Sequence, residues 1–387
     1  MYKVLVIGML AGPNGVSTSM MNLYRNMDRS KIQWEFIFLK EYEKINKTKS
    51  GSYEDEIRRL GGNIHYMKYT HHDFPHNSRK KLREIMLNDP EIMGVHVHDL
   101  ATNTYPLILA NQLDRPIKII HFHSAAAKSK IEDAVKNASR RKKIRLKMIS
   151  DDSYDRWCCS DLSGKTAYLN YPFEVFPNAV DTKKFSFNPI YRNIVRTKLS
   201  IPEDATVFGF VATIYHVKNP LYAIKVFEQY RKQYDKNAHM ILIGGGQQLT
   251  ELIEYSKKRH LTKCLHILGQ QVEIDVFYSA FDMFLCPSLS EGFPNTLTEA
   301  QSSGCQCLVS DEVTEMVKLT DLVEFASIEQ RPSKWAEKAR EMILNAPERR
   351  SWGEEVKAAG YDIVDAADRL VNHYLYRIRK WKKEHRK

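Results

Sequence analysis

The sequence predicts an α/β protein made of two doubly wound, Rossmann-like halves. Three observations carry this reading. Apolar runs such as "YKVLVIGML" recur, and runs of that kind are strands buried on both faces of a parallel sheet. They alternate with helical segments in β-α-β-α order. The pattern then starts afresh at "ATVFGFVATIYHVKNPLYAIKVFEQY", and 387 residues exceed one ordinary core.

In the first half, the strand "YKVLVIGML" runs through the loop "AGPNGVS" into a helix "TSMMNLYRNM". A strand "WEFIFL", a helix "SYEDEIRRLGG" and strands "NIHYM", "GVHVH" and "KIIHFHS" follow. The second half continues with "AHMILIGGGQQLTELIEYSKKR", "CLHILGQ", "VFYSAFDMFLCPS", a helix after Glu291 and the strand "CQCLVS". Asn, Pro and mixed charge over 183–205 read as a linker, so the expected domains are 1–190 and 191–360. Apolar or aromatic residues at 363, 364, 367, 370, 371, 374, 375, 378 and 381 have helical period, which makes 361–387 a closing helix.

Hydrophobic content of 43% and charged content of 27% fit a soluble globular protein. The net charge of +11 favours an anionic partner: nucleic acid, an anionic membrane face or a phosphorylated substrate. A nucleic-acid partner is disfavoured, because no helix-turn-helix, zinc or aromatic-stacking signature is present. No apolar run reaches the ~18 residues of a membrane span, and no cleavable leader opens the sequence. Six cysteines without paired metal spacing read as reduced, buried thiols, which suits a cytoplasmic protein.

Ligands of open α/β sheets bind beyond the carboxyl ends of the strands. Four loops there are candidates. Gly12 and Gly15 sit in "AGPNGVS", which lacks the G-x-G-x-x-G dinucleotide fingerprint and so disfavours an oxidoreductase. Gly244, Gly245 and Gly246 follow a strand without the Gly-Lys-Ser/Thr of a P-loop. Each glycine loop reads either as a plain tight turn or as a close backbone approach to a ligand. Lys218 lies just before a helix start at Pro220, either merely solvated or neutralising a phosphate. In "SLSEGFPNTLTEAQSSG", Pro294 suits the first position of a helix. The N–H groups of Asn295, Thr296 and Leu297 would then face an anion at the positive end of the helix dipole. Glu291 before the helix and Glu299 inside it could each hold a diol; alternatively Glu291 only complements the dipole and Glu299 is a surface residue. The cluster Asp151, Asp152 and Asp155 reads as a solvated turn.

Taken together these residues resemble the retaining GT-B glycosyltransferases of family 4, in the branch that builds bacterial capsular polysaccharides and exopolysaccharides. The matching stretches are "CCSDLSGKTAY" with "VFPNAVDTKKFSFN", "VKNPLYAIKVF", "ILIGGGQQ", "LGQQVEIDVFYSAFDMFLCPSLSEGFPNTLTEAQSSG" and "YDIVDAADRLVNHYL". The resemblance implies an acceptor-binding first domain, a donor-binding second domain, a cleft between them and a last helix crossing back to the first. It implies transfer from a nucleotide diphosphate sugar, UDP being the common case, to a saccharide or lipid-linked saccharide, with no metal and no cofactor. By this resemblance Glu299 holds the ribose and Glu291 the transferred sugar. Asn295, Thr296 and Leu297 meet the diphosphate, with Gly292, Phe293, Gly244 and Gly245 lining the donor, and Lys218 neutralises charge. Gly15 approaches the phosphates from the first domain, and His123 lies near the reacting carbon. His121 is expected to point the other way and to be packed. Where the family has Gly-Arg, this chain has Ala212-Thr213, so the arginine clamp is missing: either Thr213 and Lys218 suffice, or Lys183 or Lys184 substitutes, or donor binding is weak. A non-catalytic anionic-surface or nucleic-acid binding protein of the same fold is the alternative.

Residues 128–150 hold nine Lys or Arg against two acids. Arg140, Arg141, Lys142, Lys143, Arg145 and Lys147 read either as a solvated helix face or as a peripheral contact with the inner face of the cell membrane, reinforced by the basic tail and Trp381.

Overall fold

The computed structural model describes residues 1–9, 14–39, 53–68, 74–98, 104–130, 132 and 147–385. The chain divides into two compact units: Met1–Ala126 with Lys130–Ala179 and Ile363–Lys387, and Ala127–Ser129 with Val180–Asp362.

Unit 1 runs β1 (Tyr2–Ile7), α1 (Gly15–Asn26), β2 (Ile32–Leu39), α2 (Glu54–Arg59), β3 (Asn63–Met67), α3 (His76–Asn88), β4 (Ile92–His98), α4 (Thr104–Gln112), β5 (Ile117–Phe122), β6 (Asp155–Cys158), α5 (Asp161–Tyr168) and β7 (Glu174–Val175). Its sheet has the order β3-β2-β1-β4-β5-β6-β7, and every pair is parallel. The chain builds outward from β1, then returns to place β4 beside β1. That reversal opens a crevice at the strand ends. Gly8 holds the corner with φ +111, and a Cβ there would meet the His98 carbonyl oxygen at 2.0 Å.

Side chains alternate across this sheet. Leu5, Ile7, Val95 and Val97 enter one core. Val4, Val6, Trp34 and Phe36 enter the other, with α1 and the last helix.

Unit 2 runs α6 (Pro189–Lys198), β8 (Val207–Val211), α7 (Pro220–Gln233), β9 (His239–Ile243), α8 (Leu249–Lys258), β10 (Leu265–Gly269), α9 (Asp275–Tyr278), β11 (Met283–Cys286), α10 (Asn295–Ser302), β12 (Gln306–Ser310), β13 (Val323–Ala326), α11 (Pro332–Leu344) and α12 (Gly353–Ala358). The sheet order is β10-β9-β8-β11-β12-β13, again all parallel, with its reversal between β8 and β11. The last helix, α13 (Ile363–Glu384), belongs to unit 1 and buries Ala366, Leu370, Tyr374 and Ile378 in the core shared with α1.

Residues 183–205 are not a linker. Arg192 and Arg196 of α6 each reach Asp282 at 2.7 Å, which folds this segment into unit 2. Val180 pairs with Asp362 in an isolated parallel bridge, so the chain enters and leaves unit 2 at one place. The unit boundaries therefore fall at 179/180 and 362/363, where the sequence suggested 190/191 and 360/361. Asp155 is not in a solvated turn either. It opens β6 and meets His373 at 3.0 Å and Arg377 at 3.4 Å.

Candidate functional site

In unit 2 the reversal brings two loops together. After β8 the chain passes Ala212 and Thr213 into a 3-10 turn, His216–Lys218, and Asn219 takes a left-handed φ of 54° to start α7 at Pro220. After β11 the chain runs through Ser288 to Pro294. The Leu289 N–H donates to the Val217 carbonyl at 2.8 Å, which ties the loops to each other. The side chains follow: the Lys218 ammonium lies 2.5 Å from Glu291 Oε1, and the Ser288 hydroxyl donates to the same oxygen at 3.0 Å. Glu291 is 9% exposed. An ammonium has three donors, so Lys218 holds Glu291 and keeps others for a ligand.

Beside this pair α10 begins without a side-chain cap. Pro294 is the residue before the helix rather than its first, with φ −75 and ψ 112. The Leu297 N–H turns back onto the Pro294 carbonyl at 3.1 Å, so it is not aimed outward as expected. The tight first turn consumes it, which leaves Asn295 and Thr296 at the positive tip.

Glu299 is not a surface residue. It is 4% exposed, and the Tyr278 phenol donates to its Oε2 at 2.5 Å. Burial pushes its carboxyl up to about 7, against the opposing pull of the Tyr278 hydrogen bond and the Lys184 charge. A carboxyl balanced there changes charge near neutrality.

The remaining candidates divide. Thr213 is exposed at the end of β8. Lys184 lies 3.5 Å from Asp275. Gly244, with φ +141, would put a Cβ 1.8 Å from the Ala212 carbonyl, so its need for glycine comes from the neighbouring strand end. Gly245 has open space, its nearest neighbour being Gln270 Cβ at 3.9 Å. Gly292 is buried in the loop before α10. The Phe293 ring is buried and stacked on Tyr361 at 4.9 Å, so it shapes the loop from inside.

In unit 1, Gly15 opens α1 next to the capping Asn14, and a Cβ on it would meet nothing within 4 Å. His123 follows β5, half-buried. The expectation that His121 points away from it is overturned: their rings stack at 4.1 Å. Residues two apart on a strand share a face. Arg140, Arg141, Lys142, Lys143 and Arg145 lie outside the described residues, and Lys147 is exposed. Trp381 is committed to unit 1: it packs against the core, and its indole N–H donates to Asp114 at 3.0 Å. Ser288, Tyr278 and His98 were not picked from the sequence, although the repeated His-x-His of β4 and β5 was a usable signal for the last.

Residues 192–359 match the family model of the glycosyl transferases group 1. Unit 2 carries a glycosyl transferases group 1 domain. Glu291, Lys218, Ser288, Tyr278 and Glu299 all lie in it. EpsF of Bacillus subtilis (strain 168), named as a glycosyltransferase, is 27% identical over 95% of this chain and 96% of its own. An Escherichia coli UDP-Gal:alpha-D-GlcNAc-diphosphoundecaprenol alpha-1,3-galactosyltransferase is 26% identical over 73% of this chain and 74% of its own. The crystal structure of Anabaena Alr3699/HepE in complex with UDP and glucose superposes with TM-score 0.71 at 13% identity, covering 96% of this chain and 99% of that one. At that identity it speaks for the fold alone, two Rossmann-like domains of which unit 2 holds the matched residues. No helix among the described residues is long and apolar enough to cross a membrane.

Proposed function

We propose that the protein is a retaining glycosyltransferase that moves a sugar from a nucleotide diphosphate sugar, UDP in the first instance, to a hydroxyl of a lipid-linked saccharide. One observation carries the reading: the Lys218–Glu291–Ser288 constellation beside the uncapped start of α10, within a group 1 domain. The names of the relatives, an undecaprenol-linked acceptor among them, support the acceptor class.

The bond from the anomeric carbon to the diphosphate breaks while the bond to the acceptor oxygen forms on the same face. The leaving phosphate takes the acceptor's proton. Charge builds on the diphosphate, where the Lys218 ammonium and the tip of α10 stabilise the transition state more than the ground state. These groups stand in for a metal ion, so the reaction is proposed to need none. Glu291 grips the sugar hydroxyls while keeping Lys218 in place, and Glu299 grips the ribose. The basic segment, with the chain's net charge of +11, would hold the enzyme against an anionic inner membrane face where such an acceptor resides.

The test is a panel of UDP-, GDP- and ADP-sugars read by thermal shift and by nucleotide release, for wild type and Glu299→Ala. One donor should stabilise the wild type and be turned over without added metal, and the variant should lose both. No stabilisation by any donor sinks the reading. Flotation with anionic liposomes at low salt tests the membrane arm, where absence of binding removes it.

A further inference from the structure

Between α11 and α12 the chain lies across the far end of α10, one helix length from the start that carries the proposed diphosphate site. The Trp352 N–H donates to the Ser302 carbonyl at 2.9 Å. Gly304 takes φ +68, and a Cβ there would sit 1.9 Å from the Arg350 carbonyl oxygen, so glycine is what lets this segment come so close. The approach delivers one side chain, the half-buried Arg349, to the seam between α9 and α10.

The Arg349 guanidinium holds three acceptors. Nη1 donates to the Phe281 carbonyl at 2.9 Å. Nη2 donates to the Tyr278 carbonyl at 2.9 Å and to the Ser303 hydroxyl at 3.1 Å. That hydroxyl in turn lies 3.3 Å from the Tyr278 carbonyl and 3.2 Å from the Ala300 carbonyl. The guanidinium sits over the Phe187 ring, 5.1 Å from its centre. Its Nε is buried without a partner, so the bonding is carried by the two terminal nitrogens.

What these anchors support gives the clamp its meaning. Tyr278 is the last residue of α9, and its phenol donates to Glu299 Oε2 at 2.5 Å. Ser303 stands one turn beyond Glu299, and its N–H donates to the Glu299 carbonyl at 3.2 Å. One guanidinium therefore grips the backbone beneath both ends of the Tyr278–Glu299 hydrogen bond. Such a bond weakens steeply with misalignment, so a small slip of α9 against α10 would spoil it.

We propose that Arg349 is a positioning residue for donor binding: its fork locks α9 to α10 and so sets the Tyr278 hydroxyl on Glu299, the carboxylate that grips the ribose. This deepens the transferase reading and rests on it only for the nucleotide arm of the test. A lysine in this place keeps the charge and loses the fork, because an ammonium is a compact point donor and cannot reproduce the planar grip. Lys184 and Asp275 are the charges that act on Glu299 directly. Arg349→Lys thus leaves the electrostatics in place and alters the geometry.

NMR of protein labelled at the glutamate carboxyls reads the Glu299 midpoint with no substrate present, Glu299 being assigned by its loss in Glu299→Gln. In Arg349→Lys the midpoint should rise, by up to about one pH unit, because the ionised carboxylate loses an aligned donor. Ser303→Ala, which removes one of the three acceptors, should raise it less. Added to Tyr278→Phe, Arg349→Lys should shift it no further, since the bond it positions is already gone. UDP affinity, titrated calorimetrically at pH 7, should fall about tenfold in Arg349→Lys. A midpoint unchanged in Arg349→Lys overturns the proposal. So does a shift that adds in full to that of Tyr278→Phe, as a general loosening of the fold would produce. Where Arg349→Lys does not fold, Ser303→Ala decides, and no rise there overturns the proposal. A wild type that binds no UDP would count against the transferase reading, while the midpoints still decide the role of Arg349.

Discussion

The two units bury titratable groups of opposite kinds. Unit 1 hides bases. His96, His98 and His121 are at most 1% exposed, and burial first, then mutual repulsion, holds each well below its ordinary value; His123 is lowered to about 4. Its buried acid, Glu35, is given partners. Burial would raise it, but His65 at 2.6 Å, with help from Lys3, holds it below its usual value. Unit 2 hides an acid, Glu299, whose hydrogen-bonding partner is an uncharged phenol, and it rises to about 7. Unit 2 also has an imidazole pair, the buried His239 and the half-buried His266, with ring nitrogens 3.0 Å apart. The same fold therefore responds differently to pH at its two strand-reversal points, because what is buried is decided residue by residue and not by the topology.

Acid should separate the units most strongly. A base with a depressed folded pKa stabilises the fold above its unfolded value of 6.5 and loses that contribution as pH falls through the folded value. For His123 the fall from 6.5 to about 4 is worth roughly 3 kcal/mol at most, and three more imidazoles add to it. Between pH 7 and pH 4.5, hydrogen exchange corrected for intrinsic rate should show β4 and β5 losing protection before β11 and β12. The reverse order would break the comparison.

Next in size is Lys218→Ala. It strips the cation from a carboxylate that is 9% exposed and removes a charge aimed at the leaving group. The expected loss is about a hundredfold in kcat/KM, or about 3 kcal/mol, with melting changed far less. Steady-state kinetics on the donor identified by the panel checks it. An unchanged kcat/KM would mean that Lys218 only holds Glu291.

Glu299→Gln should act through pH. A carboxyl with a raised folded pKa favours the fold in acid, and that advantage is lost as pH rises from 4.5 through about 7. The ceiling is about 3 kcal/mol, and the weaker bond that Tyr278 makes to an amide brings the net nearer 2 kcal/mol. Melting of the variant should exceed wild type at pH 8 and match it at pH 5. Equal melting at both would show that Glu299 is solvated.

Much of this was legible in advance, for particular reasons. "AHMILI" and "CQCLVS" hold strands buried throughout, and "YKVLVIGML" one buried from Val4 to Ile7, so their apolar runs had no competing explanation. Asn63–Met67 was readable to the residue. Residues 183–205 misled because Arg192 and Arg196 look like solvent-facing charge until Asp282, far off in sequence, is placed beside them. At the site, Glu291, Lys218 and Glu299 stood out by type and spacing. Their partners did not: Tyr278 reads as an ordinary core aromatic in "VFYSAF", and only the fold aims its hydroxyl at Glu299. His121 was misplaced through the period of a strand, a local rule that the sequence did contain.

The finest test of the comparison is Tyr278→Phe. The phenol donates to Oε2, and a donor favours the ionised carboxylate. Losing it should move Glu299 above its present value of about 7 by roughly one pH unit, about 1.4 kcal/mol. Only the ionised carboxylate accepts from both ribose hydroxyls, so donor affinity should rise with pH through 7 in the wild type and through a point about one unit higher in the variant. Calorimetric titration across pH 6 to 9 reads this shift. Glu299→Gln should remove the dependence, and adding Tyr278→Phe to it should change nothing further. A midpoint that stays put in Tyr278→Phe would mean the phenol does not set the charge of Glu299.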